Sequence, residues 1–205
     1  MDKFKRFIYV NKNITVFLIG LLLTGIFFGS LLPMFLSTED KKLISEYLFS
    51  FISQVKSGFD SLVLLNNGLF NNGLFLILIW LLGISVIGVP IVLFLFFYKC
   101  FIFGFSISSI IYNFGFKGVL FSFAYIFPHH VIDLFIYGIL TSFSLIFSIR
   151  LFFMFFKKVD FNIRESFNKY LKVLLFCCVV VVVSVLYEAF VNPYILSFIF
   201  NLLGL

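Results

Sequence analysis

The sequence predicts an all-α fold: a polytopic integral membrane helical bundle of about five transmembrane helices, with broken or kinked central helices. Of its 205 residues 62% are hydrophobic and only 12% are charged, and the mean hydropathy is +1.18. Several apolar windows reach the roughly 20 residues that a helix needs to cross a bilayer. Lipid offers the backbone no hydrogen-bond partner, so such windows must be helical, and the alternating pattern of membrane barrel strands is absent. The formal net charge of +6 sits in short flanks of the apolar runs. That distribution reads as a topology signal and argues against a nucleic-acid surface.

Residues 1–13 carry Lys3, Lys5, Arg6 and Lys12 against Asp2, which places the N-terminus in the cytoplasm. The first span covers 14–36 and is too long for a signal-peptide core, so it is expected to stay uncleaved. Within it Gly25 and Gly29 form a GxxxG pair next to Ser30, a face that a second helix can approach closely. A partner protein, a second copy of the chain in a homo-oligomer, or one of the chain's own helices would satisfy it equally.

Residues 37–73 form an amphipathic extracytoplasmic loop in this reading. Glu39, Asp40, Glu46 and Asp60 outnumber Lys41, Lys42 and Lys56, and Ile44, Leu48, Phe51, Val55 and Phe59 recur at helical spacing. Such a helix can lie on the outer membrane surface, bridge to a partner or cap the bundle. The duplicated stretch from Asn66 to Phe75, two copies of Asn-Asn-Gly-Leu-Phe, predicts a turn back toward the bilayer.

The second span is expected over 74–98, kinked at Gly88-Val89-Pro90 and ended on the cytoplasmic side by Lys99. The third, 101–127, is cut by Asn113-Phe114-Gly115-Phe116-Lys117-Gly118, where the glycines permit an unwound turn. Lys117 requires either a polar cleft, with Asp133 as its partner, or a route to the interface. The fourth span, 131–156, carries Gly138 and Ser142 on one face. Arg150, Lys157, Lys158, Arg164, Lys169 and Lys172 then mark a second cytoplasmic connector. The fifth span, 171–190, leads outward, and the remaining residues are too few to cross again.

The candidate site is the most polar interruption of the apolar sequence, Phe127-Pro128-His129-His130-Val131-Ile132-Asp133. Pro128 breaks an arriving helix and suits the start of a new one. His129, His130 and Asp133 then either cap that start, with Asp133 favoured by the helix dipole, or Asp133 joins Lys117 and Glu188 in a polar cavity. Neighbouring histidines point about 100° apart on a helix, so one metal ion cannot take both. No phosphate loop, HExxH, CxxC or nucleophile elbow occurs. The expectation is therefore no catalytic residue, no metal and no cofactor. Cys100, Cys177 and Cys178 lie in apolar sequence and read as packing residues.

Two stretches carry a resemblance across nearly the whole chain: Gly118-Val119-Leu120-Phe121 leading to Pro128-His129, and Tyr187-Glu188-Ala189-Phe190-Val191-Asn192-Pro193. With the basic N-terminus and Gly-containing first span, they resemble the stage II sporulation protein M family. The family carries Gly after the histidine and Glu as the acid, where this chain has His130 and Asp133. The resemblance implies a non-enzymatic scaffold at the septum between mother cell and forespore, with stage II sporulation proteins D and P, which degrade peptidoglycan, as partners. The alternative reading of the residues is a small transporter, channel or permease subunit.

Overall fold

A computed structural model describes residues 12–58, 60–157 and 162–203. These form seven helices and no strand: α1 Lys12–Phe35, α2 Thr38–Ser57, α3 Ser61–Gly83, α4 Val89–Tyr125, α5 Phe127–Lys157, α6 Ile163–Phe190 and α7 Asn192–Leu203. Five segments are long and apolar enough to cross a membrane: α1, α3, α4, α5, and α6 continuing into α7. The expected basic residues of 1–11, together with Phe59, Lys158 and Asp160, lie outside the described residues.

The glycine pair of α1 sets the first contact. A Cβ on Gly25 would stand 2.8 Å from Cys100 Cβ and 3.1 Å from the Phe97 carbonyl oxygen, and one on Gly29 would run into the Phe101 carbonyl. Gly104 answers from α4, where a Cβ would run into the Ile26 carbonyl. Ser108 adds an interhelical hydrogen bond, donating to the Ser30 carbonyl at 2.6 Å. Small residues thus bring two backbones together along one parallel seam, the usual driving force for helix association in lipid. The Gly25 and Gly29 face is filled by the chain's own α4.

The amphipathic segment forms α2. Ser37 accepts a hydrogen bond from the Asp40 amide at 3.1 Å and so caps the first turn, where Glu39 and Asp40 also complement the helix dipole. Leu48, Ile52 and Val55 are buried, with Ile44 and Phe51 packed beside them. The apolar stripe packs against α4 and α7, leaving a half-open pocket of about 390 Å³ whose walls include Leu48, Phe51, Ser109, Phe121 and His130.

Helix ends in the middle of the chain depart from the expected spans 74–98 and 101–127. Asp60 caps α3 by accepting from the Leu62 amide at 3.0 Å, and the helix runs straight through both Asn-Asn-Gly repeats. A capped helix with a packing partner overrides the turn preference of Asn-Gly: Gly68 fits against Val185. The break falls instead at 84–88, so Gly88-Val89-Pro90 begins a new helix, with proline in its first turn, and does not kink an old one. Ser148 Oγ donates to the Gly83 and Ser85 carbonyls, supplying donors that the end of α3 lacks.

Gly115 interrupts α4 with φ 57° and ψ −133°. Gly118 consequently packs onto the Ile110 and Ile111 backbone, and the chain doubles back into an antiparallel hairpin. His130 meets the Phe103 ring, Lys99 lies over Tyr137, and Gly138 meets Phe96. An L side chain at this φ/ψ costs about 1–3 kcal/mol. Gly115→Val is therefore expected to lower stability by that order, read as a shift in the thermal unfolding of the detergent-solubilised protein, while Gly73→Val, with open space around it, should change it less.

Pro128 stands at the second position of α5. The Ile126 amide donates to the Ser122 carbonyl and the His130 amide to the Ile126 carbonyl, so the helical path bends at the proline more than it stops there.

Candidate functional site

Four-residue spacing builds the site. His129, Asp133 and Tyr137 share one face of α5, while Ser184 and Glu188 share one face of α6. Four of the five are buried, His129 being 1% exposed, Asp133 4%, Tyr137 1% and Ser184 3%, while Glu188 is half-buried. His129 Nε2 stands 3.6 Å from Glu188 Oε1. The Ser184 side chain lies beside the Asp133 carboxylate, whose Oδ1 has no hydrogen-bond partner.

The cation of the cluster is Lys99 of α4. Its ammonium lies 4.5 Å from the centre of the Phe75 ring and 5.3 Å from that of Tyr137, a cation–π seat, and within electrostatic reach of both Asp133 and Glu188. The Tyr137 hydroxyl donates to Asn72 Oδ1 at 2.8 Å. Asn72 is the central residue of α3, and Glu188 stands near the end of α6. The polar file therefore descends from one rim of the bundle to its middle. His129 and Tyr137 are about 12 Å apart along the helix axis at 1.5 Å per residue.

Asn192 of α7 closes the upper end. It is 1% exposed and donates from Nδ2 to the Tyr125 carbonyl at 3.3 Å, bracing the backbone just ahead of the proline bend. Below Tyr137 the same face of α5 continues through Thr141, Ser144 and Ser148, all buried.

The expected site residues separate into two groups. His129, Asp133 and Glu188 come together. His130 points toward Phe103 and the α2 pocket, yet its ring centre stays 4.1 Å from that of His129, so it borders the cluster. Asp133 lies beyond the first turn of α5 and faces α6 and α4, so its partners are tertiary and it does not cap the helix. Lys117 is exposed past the Gly115 reversal; the lysine within electrostatic reach of Asp133 is Lys99, a residue expected to mark a cytoplasmic end. A signal for Lys99 was present. It stands sixteen residues before Gly115 and Asp133 eighteen after, so a hairpin pivoting on that glycine pairs them.

Among the described residues no group of three or more His, Cys, Asp or Glu could hold a metal ion. The cysteines are free thiols, Cys100 and Cys177 buried and Cys178 half-buried.

These features define a multi-pass helical membrane protein with an ionisable cluster between its long apolar helices. The chain belongs to the stage II sporulation protein M family, whose model matches residues 13–193, and that membership points to a role in sporulation. No curated protein and no solved structure gives a significant match.

Proposed function

We propose that the protein is a non-enzymatic scaffold of the engulfment machinery, anchoring peptidoglycan-degrading partners at the septum between mother cell and forespore. The family match over nearly the whole chain carries this reading. The partners are stage II sporulation proteins D and P, and the N-terminus faces the cytoplasm. In that orientation α2 and α7 lie at the outer end of the bundle, the side on which cell-wall hydrolases work. Because α4 fills the Gly25 and Gly29 face, partner helices dock elsewhere. The exposed side of α1, with Phe17, Leu23, Phe27 and Phe28, is one such surface.

A tagged chain expressed in sporulating cells is expected to co-purify proteins D and P and to concentrate at the septum. Even distribution around the membrane, with neither partner recovered, would refute the scaffold. The Lys99, Asp133 and Glu188 cluster favours one second reading, a small transporter, channel or permease subunit, since ionisable groups at this depth mark ion and substrate pathways. Asp133→Asn separates the two: engulfment lost with the complex still assembled supports transport or conformational work, and engulfment preserved supports the platform.

A further inference from the structure

We propose that Asp133 and Glu188 form a proton-binding site inside the bilayer, sharing one proton that enters from the α7 end past Glu188 and His129. The argument begins with charge. The groups facing the cluster are Asn72 from α3, Lys99 and Tyr125 from α4, His129, His130, Asp133 and Tyr137 from α5, Ser184 and Glu188 from α6, and Asn192 from α7. Two carboxylates stand against one ammonium, and an uncompensated charge at this depth is costly. One further positive charge closes the balance.

A proton suits the space better than a metal ion does. The Lys99 ammonium already lies within electrostatic reach of both carboxylates, and the neighbouring imidazole is a base 3.6 Å from Glu188. Asp133 Oδ1, buried and without a partner, offers a lone pair for the new O–H bond. Exposure sets the direction of entry: the Glu188 side chain is 28% exposed, whereas Asp133 is 4% exposed. The proton leaves water at the rim, passes Glu188 and the His129 imidazole, and rests on the carboxylate pair. Release reverses these steps, and only O–H and N–H bonds form or break.

Infrared spectroscopy of the full-length protein in lipid nanodiscs tests this directly. Surface carboxylates are ionised at neutral pH, so the wild type is expected to show a protonated carboxylic-acid carbonyl band there, shifting in heavy water. In Asp133→Asn or Glu188→Gln the surviving carboxylate is balanced by Lys99 and stays ionised, so either substitution should abolish the whole band. Lys99→Met should instead enlarge it, because two carboxylates then need two protons. The opposite sign separates the site from a folding defect, and Glu46→Gln on exposed α2 should leave the band unchanged. A wild-type spectrum without a protonated carboxyl at neutral pH, or a band that survives both carboxylate substitutions, overturns the proposal.

Discussion

Replacing Gly25 and Gly29 together with leucine is expected to undock α1 from the bundle. Overpacking of a close contact costs about 1–3 kcal/mol at each site when neighbouring side chains can yield. Here the obstruction at Gly29 is the Phe101 backbone, and at Gly25 it is Cys100 Cβ with the Phe97 carbonyl, so the loss should reach the upper end of that range at both positions. Loss of a monodisperse peak in size-exclusion chromatography, with a lowered melting temperature, is the measurement. Gly20→Leu supplies the comparison on the same helix, because a Cβ there meets nothing within 4 Å, and it should behave as wild type. A double variant that remains folded would mean that α1 is not held by this seam. The result also bears on partner binding: failure to recover proteins D and P with the double variant would follow from the lost fold, so it could not identify Gly25 and Gly29 as their docking face.

Lys99→Met is the second large effect. Lys99 is half-buried and within electrostatic reach of both acids, so its removal leaves them uncompensated and destabilises the fold, and it also removes the cation over Phe75 and Tyr137. The sign with pH follows from the remaining carboxylates. At alkaline pH Asp133 and Glu188 are both negative and the variant should be least stable relative to wild type. Acidification neutralises them and should recover much of the deficit, because the uncompensated negative charge is then removed. Melting temperatures of both proteins across the pH range would show the gap widening as pH rises. A gap of constant size would indicate that Lys99 contributes packing alone.

Much of the architecture was legible because it depends on local sequence. Apolar windows of span length, the stripe of Ile44, Leu48 and Val55, and the glycines around Lys117 each act over one or two helical turns, and the corresponding helices and the Gly115 reversal are present. Signals that depended on a competitor were misread. Asn-Gly favours a turn only while nothing better is offered, and α3 offers a capped helix with Val185 to receive Gly68. The charge at position 99 resembles a helix-end anchor until the hairpin folds and sets it over Tyr137.

From the order of its residues alone, this protein had to be a membrane bundle, because no soluble core could absorb so much apolar surface and no other backbone conformation satisfies itself in lipid. The proline bend with His129 and Asp133, and Glu188 near the end of the last long helix, were visible in the same way. Which lysine meets those acids, and which helix claims the glycine face, was decided only by tertiary structure. Both outcomes depend on pairing residues tens of positions apart. A rotation set by one glycine at 115 and a break at 84–88 determines those pairings, and composition carries no record of either.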